Sequence, residues 1–321
     1  MGDVAADLLL QVLATLLLKP VADLLGLPAA ICLALGYVGV ITFFHVNVTP
    51  YFSKSRPADT RLEMQTSMKS PSWRAVALTM TMVAIAQSLR CAMLGFYFYD
   101  YVDSQSLVAW LWFIPVARKD AFFVGLFLFI LVGALSQLIG TWLFLRYFRL
   151  FGKKEILIIC LMLTALFSFL FYIPQPDDIS MIFLLCVLKS LAFAPMIPIL
   201  WAMTGDVADY VEHQHFRRAT GSCYSGVMFS LKTGLGLGIF LAGALLLFYG
   251  YTPDAPDLHS WNTLQGIRFT GSIVPGLLFA VGIATLWSYP ITKTFGEQIR
   301  TELSDRRKRR NLQPTAQQRP A

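Results

Sequence analysis

Three regularly spaced acids stand out in the stretch WAMTGDVADYVEHQHFRRATG, residues 201–221. Asp206, Asp209 and Glu212 are three residues apart, so on a helix their side chains share one stripe within an arc of about 120°. Neighbouring carboxylates of this kind can act as general acids and bases. They can equally form ion pairs, and two arginines follow them in the same stretch. The spacing alone leaves both kinds of chemistry open.

The two histidines in this stretch do not complete a metal site. His213 and His215 are spaced i, i+2, which points their side chains toward different faces of a helix. Zinc sites use an i, i+4 pair or a loop that clips the metal. The sequence also contains no HExxH motif, no ordered Ser/His/Asp set and no glycine-rich phosphate loop. We therefore expect no enzyme active site, no metal and no cofactor of that kind.

The composition is typical of a membrane protein. Of the 321 residues, 56% are hydrophobic and 14% are charged, whereas soluble domains carry about a quarter charged residues. A spanning helix needs roughly 20 mostly apolar residues. The stretch 106–117 is too short for this, and its aromatic residues favour an interfacial or re-entrant piece. The predicted fold class is an all-α polytopic membrane protein with about eight spanning helices, near residues 4–26, 28–50, 75–101, 121–146, 155–174, 179–204, 221–249 and 268–291.

Lysine and arginine placement predicts the orientation. If the loop 51–74 is cytoplasmic, most of the 26 lysines and arginines lie on that side, and only Arg118, Lys119 and Arg268 lie on the other. The positive-inside rule then places both termini in the cytoplasm. The net charge of +7 follows from this asymmetry, so we expect no nucleic-acid partner and read the basic tail 301–321 as an anchor next to membrane lipids.

Four cations fall within the candidate spans: Lys19, Arg90, Lys189 and Lys232. A charge at membrane depth costs at least ~2.5–3.5 kcal/mol, so it normally faces a cavity or a partner. Away from the span ends, the acids within the candidates are Asp7 and Asp23, both in the first one. Lys19 lies near a span end and can reach the interface. The other three are predicted to face water or a counter-charge elsewhere, with a structural hydrogen bond as the alternative for Lys189.

The acidic stripe lies where a span leaves the membrane on the predicted cytoplasmic side. Arg217 and Arg218 begin the following helix. Isolated exposed ion pairs contribute only ~0–1 kcal/mol each. A network of them can nevertheless bias a two-state motion whose states differ by a few kcal/mol. The stripe is therefore predicted to be a cytoplasmic gate.

The segments DVADYVE, RRATGSCYSGVMFSLKTGLGLG and LQGIRFTGSIVPGLLF closely resemble the glycoside–pentoside–hexuronide:cation symporters. These form the melibiose-permease-like branch of the major facilitator superfamily. Further likeness lies in LRCAMLGFYFYDYV and LFGKKEIL, whereas HQHFR departs from the family pattern. The residues that match the family's cytoplasmic motif and its helix-eleven lysine are Asp206, Asp209, Tyr210, Glu212, Arg218, Gly221 and Lys232.

The resemblance implies a twelve-helix transporter of which this chain supplies helices five to twelve. Residues 1–50 would be the last two helices of the N-terminal bundle, and 51–74 the central cytoplasmic loop. Residues 75–300 would form the six-helix C-terminal bundle, followed by the tail 301–321. Because the family carries acids in its first four helices, the unpaired cations of this chain would face them across the midplane.

The implied function is alternating-access symport of a sugar or glycoside, coupled to Na+ or H+, in the cell (inner) membrane. The resemblance gives Lys232 a role in coupling, and Arg90 and Lys189 are expected to join it at the transport pathway. Two alternatives stay open at this point. The chain could be a truncated, non-transporting fragment of such a symporter, or a relative that carries a lipid-like or other organic substrate.

Overall fold

The computed structural model describes residues 68–112, 121–147, 152–215, 220–251, 261–291 and 293–312. These parts of the chain are almost wholly helical and contain no strand. A π-helical turn, Tyr97–Tyr101, continues the first helix. The α-helices are α1 (Pro71–Phe96), α2 (Ser104–Trp110), α3 (Ala121–Tyr147), α4 (Lys153–Leu170), α5 (Ile179–Phe193), α6 (Met196–His215), α7 (Thr220–Phe248), α8 (Trp261–Leu286) and α9 (Lys293–Leu312).

Five helical segments in the described residues are long and apolar enough to cross a membrane: Pro71–Tyr101, Ala121–Phe144, Ile179–Gln214, Thr220–Phe248 and Trp261–Leu286. They confirm an all-α polytopic membrane protein. The candidate 155–174 corresponds to α4, which has 18 residues and begins with three charged ones. The candidates 4–26 and 28–50 and the loop 51–67 lie outside the described residues, so the domain division there stays a prediction.

The span that carries the acidic stripe is interrupted and longer than predicted. Its two parts, α5 and α6, meet at Ala194 and Pro195. Proline has no backbone N–H and crowds the preceding turn, so the helix breaks there. The second part then continues to His215, beyond the predicted end at residue 204, so His213 lies on this helix.

Helix α1 is the central element and packs most extensively on α7 and α8. Its contact with α7 depends on glycines. A Cβ on Gly234 would lie 2.7 Å from the Ala84 Cβ, and one on Gly238 would lie 2.5 Å from the Ile85 carbonyl oxygen. Small residues at this spacing let two helix backbones approach closely. These glycines therefore let α1 and α7 pack closely against each other.

The buried apolar residues form two separate clusters. The charged-end cluster lies near the acidic stripe and includes Met80, Leu161, Val207, Val227 and Phe279. The aromatic-end cluster lies toward the other end of the bundle and includes Phe96, Tyr97, Phe129, Phe171 and Ile267. Helices α1, α4, α5, α7 and α8 contribute to both clusters, so each must cross the region between them.

Two shorter helices flank the bundle. Helix α2 has seven residues, and the Asp103 carboxylate caps it by accepting from Ser106 N at 2.8 Å. This agrees with a piece too short to span. Helix α9 buries Ile299 and Leu303 and packs on α6. The expected boundary at residue 301 falls inside α9.

We expect Gly238→Leu to destabilise the bundle by about 1–3 kcal/mol, because a side chain there overpacks the α1–α7 contact. Thermal unfolding of the purified protein in detergent measures this. Gly221→Leu is the matched control, since a Cβ on Gly221 meets nothing within 4 Å. Equal unfolding temperatures for the two variants would contradict the proposed packing role.

Candidate functional site

A layer of buried polar residues separates the two apolar clusters. Helices α1, α5 and α8 each place such residues between their last buried contribution to one cluster and their first to the other, and α4 places one on each side of Ala165, its last buried residue in the charged-end cluster. A hydroxyl in this layer can donate a hydrogen bond to a carbonyl of its own helix. The Ser88 Oγ donates in this way to the Ala84 carbonyl at 2.9 Å. The polar layer consists of Gln87 and Ser88 on α1, Thr164 and Ser168 on α4, Lys189 and Ser190 on α5, and Thr270 and Ser272 on α8.

Lys189 is the basic member of the polar layer. It is 1% exposed, and its Nζ has no hydrogen-bond partner in the described part of the chain. The structural hydrogen bond considered for Lys189 is thus not found among those residues. Its Nζ lies 5.7 Å from the centroid of the Phe279 ring. An aromatic face attracts a cation by ~0.5–2 kcal/mol but does not neutralise it.

Arg90 is half-buried and lies just beyond the polar layer on α1. Its guanidinium carbon is 5.4 Å from the Phe171 centroid and 5.9 Å from the Phe129 centroid. The Nη2 atom is buried without a hydrogen-bond partner in the described residues. The Cys186 thiol, one turn before Lys189 on α5, donates to the Phe129 carbonyl at 3.7 Å, and Arg90 lies over the ring of the same Phe129. The structure therefore places these two predicted site residues in the same part of the bundle.

No carboxylate lies in the polar layer of the described bundle. The described acids lie on other segments or nearer the helix ends: Asp100, Asp103, Glu155, Asp177, Asp178, Asp206, Asp209, Glu212, Glu297, Glu302 and Asp305. The pair of cations thus has no counter-charge of its own within the part of the chain that the structure describes.

Lys232 stands apart from this pair. It is half-buried on α7, next to a stripe of exposed apolar residues that includes Phe229 and Phe240. Helices α1 and α7 run parallel, because Gly234 meets Ala84 further along the same direction in which Gly226 meets Trp73. This register places Lys232 about two turns, roughly 12 Å, from the level of Arg90 toward the charged end.

Asp206, the first acid of the stripe, is paired with two basic side chains. The Asp206 carboxylate is 2.5 Å from Lys153 Nζ and 2.6 Å from Arg300 Nη2. Lys153 also donates to the Ala202 carbonyl at 3.3 Å. Asp206 is only 11% exposed, so this double pairing ties the start of α4 and the middle of α9 to α6.

Further contacts join the same elements. Lys154 Nζ donates to the Tyr289 carbonyl at 2.7 Å, and His213 Nε2 lies 3.0 Å from Glu302 Oε2. The Tyr210 ring packs edge-on against Phe295, 6.1 Å between centroids. Burial, together with the nearby Asp206 carboxylate, raises the pKa of the Tyr289 phenol above its ordinary value. The phenol therefore stays neutral at physiological pH.

The other residues of the predicted gate are placed as follows. Asp209 and Glu212 are half-buried on α6 and make interactions of their own, and Gly221 is exposed at the start of α7. Arg218 lies outside the described residues, so its pairing with Asp209 stays a prediction. Sequence reasoning missed Lys153 and Arg300, although their assignment to the same membrane face as Asp206 was a usable signal.

The described residues contain a cavity for a small ligand but no metal-binding group. No group of three or more His, Cys, Asp or Glu side chains there could hold a metal ion. A cavity of about 560 Å³ opens at the aromatic end. Aromatic faces with a few polar groups are typical of sites for small molecules, and this cavity is lined by Tyr172, Phe248, Tyr249, Gly250, Asn262, Gln265, Gly266 and Phe269.

Comparison with known proteins agrees with this architecture. The family model described as MFS/sugar transport protein matches residues 4–293. The proposed glycoside/cation symporter YagG of Escherichia coli (strain K12) is 29% identical over 175 residues, which cover 54% of this chain and 38% of YagG. The inner membrane symporter YicJ of the same strain is 30% identical over 153 residues, or 46% of this chain and 32% of YicJ.

A third similar protein is the glucuronide carrier protein homolog of Escherichia coli (strain K12). It is 24% identical over 157 residues, which cover 49% of this chain and 34% of the homolog. The matched part therefore spans less than half the length of each of these three relatives.

We expect Asp206→Asn to loosen α9, because the neutral amide keeps the shape but loses two charge-assisted bonds. Hydrogen bonds to charged groups contribute ~1.5–3 kcal/mol each, and the Arg300 contact, with that side chain 55% exposed, contributes less. Trypsin cleavage within α9 should accelerate at least several-fold. Asp305→Asn, at an exposed position of the same helix, is the control. Unchanged cleavage in Asp206→Asn would show that the pairing does not hold α9.

Proposed function

Because the chain belongs to the MFS/sugar transport protein family, we propose that it acts in the symport of a sugar or glycoside with a coupling cation, Na+ or H+. The family resemblance seen in the cytoplasmic motif and around Lys232 is thereby confirmed. The family is one of transporters, so no enzymatic reaction is proposed. Transport would proceed by alternating access, in which the bundle exposes one site to each side of the membrane in turn.

The observation that carries this proposal is the polar layer. A purely structural membrane bundle has no need for buried, unpartnered cations, whose burial is costly. Here Lys189 is fully buried and Arg90 half-buried at the middle of the spans, with no carboxylate beside them in the described residues. Polar groups at the bilayer midplane are typical of substrate and ion pathways.

Roles for individual residues follow from their positions. We assign Arg90 and Lys189 to the transport pathway, because they lie together in or next to the polar layer. Lys232 is assigned to coupling, since it is half-buried inside a span and the family motif carries a lysine there. A charge at that depth responds to any ion or solute that enters the pathway.

The charged end is assigned to gating. Asp206, Lys153 and Arg300 link three elements within the bundle, whereas Asp209 and Arg218 are proposed to pair across α6 and α7. Charge networks at the end of a pathway can favour one of two arrangements of the helices. We place this end, and both termini, on the cytoplasmic side of the inner membrane, in line with the lysine and arginine distribution.

We expect Lys232→Ala to reduce coupled uptake by at least about tenfold, if the lysine contributes one charge-assisted contact in the pathway. The measurement is uptake of labelled methyl β-D-glucoside and methyl β-D-glucuronide by cells expressing the chain, with an inward Na+ or H+ gradient. Lys69→Ala, at an exposed position, is the matched control for loss of a lysine. Surface labelling establishes equal membrane insertion, and wild-type accumulation in Lys232→Ala would remove the coupling role.

We expect single charge reversals at Asp209 and Arg218 to slow uptake, and the double reversal to restore part of it. A restored pair of opposite sign recovers the attraction that each single change turns into repulsion. The readout is the same uptake rate, normalised to protein at the membrane. If the double variant is no faster than the slower single one, the two residues do not pair.

A further inference from the structure

We propose that the cavity at the aromatic end binds the headgroup of a membrane phospholipid that carries both a phosphate and an ammonium group. The cavity lies where α4 and α7 end and α8 begins. None of its described lining residues belongs to the polar layer. The lipid is a bound partner of the bundle and not a transported solute, so this inference is independent of the proposed function.

The walls of the cavity suit an ammonium group. Of the described residues that line the cavity, none is charged and four are aromatic: Tyr172, Phe248, Tyr249 and Phe269. The Phe248 and Tyr249 rings meet at 84° with their centroids 5.4 Å apart, so they form two walls at a right angle. Groups of aromatic rings arranged around one position are the usual binding site for an ammonium group, which the ring faces attract.

Backbone contacts hold these walls in place before any ligand binds. A Cβ on Gly266 would clash with the Tyr249 side chain, so glycine at this position lets that side chain pack directly on α8. The Thr263 hydroxyl donates to the Tyr249 carbonyl at 2.9 Å. Gly250, with a φ of 71°, turns the chain away from α7. The end of α7 and the start of α8 are therefore fixed relative to each other, and a ligand does not have to order them.

Arg268 supplies a positive charge beside the cavity. It lies on α8 between Gln265 and Phe269, which both line the cavity, and its guanidinium is 4.4 Å from the centroid of the Tyr172 ring. Among the described residues its hydrogen bonds go to backbone carbonyls and use Nη2 alone. The Nη1 group therefore remains for an outside acceptor, and a phosphate is the acceptor that arginine binds best.

This charge arrangement favours a headgroup with both signs of charge. Arg268 would repel a cation that arrives without an anion, whereas an anion without a cation would leave the aromatic walls unused. The Tyr172 hydroxyl donates to Gln265 Oε1 at 3.1 Å, so the Gln265 amide keeps two N–H donors for phosphate or ester oxygens. A phosphate linked to an ammonium group satisfies the arginine, the amide and the rings together.

The surface around the cavity indicates a lipid and not a small water-soluble molecule. Two stripes of exposed apolar side chains lead away from the cavity, one on α7 from Phe248 and one on α8 from Phe269. Acyl chains cover such stripes, whereas a soluble zwitterion leaves them bare. Trp261, the first residue of α8, is 71% exposed, as is typical of aromatic residues at the membrane–water interface. The stripes continue with Leu237, Phe240 and Leu247 on α7 and with Leu277 and Val281 on α8.

The experiment compares two lipids that share their acyl chains and differ in the headgroup. The full chain in detergent micelles is titrated with dioctanoyl phosphatidylethanolamine or dioctanoyl phosphatidylglycerol, and the shift of the unfolding temperature gives a half-saturation concentration. We expect the ethanolamine lipid to reach half-saturation at a concentration at least about fivefold lower, because the glycerol headgroup has no ammonium for the rings.

Variants of one exposed ring test whether the cavity is the site. Phe248→Ala should reduce the preference for the ethanolamine lipid at least about threefold, and Phe248→Tyr, which keeps a ring, should retain it. The Phe248 side chain is 81% exposed, so Phe248→Ala should unfold at the wild-type temperature without lipid. Phe127→Ala is the matched control, since this α3 ring is 61% exposed and lies outside the cavity, and it should leave the preference unchanged.

Three results would overturn the inference. The first is equal half-saturation by the two lipids in the wild type. The second is an undiminished preference in Phe248→Ala, which would place the headgroup elsewhere. The third comes from glycerophosphoethanolamine, which has the same headgroup without acyl chains and should leave the unfolding temperature unchanged at the half-saturating concentration of the lipid. A shift as large as that of the lipid would assign the cavity to a soluble zwitterion.

Discussion

The constraint on which this bundle depends is the burial of a basic side chain, Lys189, with no carboxylate beside it in the described residues. Placing a lysine at the centre of a spanning helix costs ~2.5–3.5 kcal/mol on insertion scales. The single ring near Lys189 returns ~0.5–2 kcal/mol of this. The remainder must be met by packing elsewhere, and the two apolar clusters on either side of the polar layer provide it. The contacts of Lys189 itself therefore do not recover the free energy that its burial costs.

Arg268, at the end of the bundle, has the hydrogen-bond acceptors that a charged side chain needs. Arg268 donates to the carbonyls of Ile173 and Pro174, at 3.0 and 3.2 Å. Its guanidinium also stacks over Tyr172, 4.4 Å from the centroid, and the Tyr101 hydroxyl donates to the same Pro174 carbonyl at 3.0 Å. Acceptors and a ring surround Arg268 at the end of the bundle. Arg268 thus has carbonyl acceptors, whereas Arg90 Nη2 and Lys189 Nζ are buried without a hydrogen-bond partner in the described residues, as the Arg268 Nε also is.

Much of the fold could be predicted from the sequence because hydrophobic length and helical period are local signals. The spans of α3, α7 and most of α1 and α8 follow directly from them. The break at Pro195 was not predicted, although the proline is a signal for it. The continuation of α6 to His215 was missed because polar residues past a membrane boundary resemble a loop. The course of α9 was missed for a related reason: its apolar face is carried mainly by Ile299 and Leu303, too few residues to reveal packing on α6.

The candidate site, like the fold, could be predicted from the sequence only in part. Sequence alone identified Arg90 and Lys189 as unpaired, because charges within apolar runs are conspicuous. It could not show that they lie together while Lys232 lies apart, since that depends on the register of α1 against α5 and α7. The partners of Asp206 were likewise out of reach. Arg217 and Arg218 are close in sequence, but Lys153 and Arg300 are close only after α4 and α9 have packed.

The charge balance of the polar layer also restricts where a coupling cation can bind. A Na+ ion needs several oxygen ligands, and carboxylates are the strongest of these in proteins. The described layer offers hydroxyls and two like charges but no carboxylate, so a cation next to Arg90 and Lys189 would be repelled. Away from the span ends, the acids within the candidate spans of this chain are Asp7 and Asp23, in a segment outside the described residues.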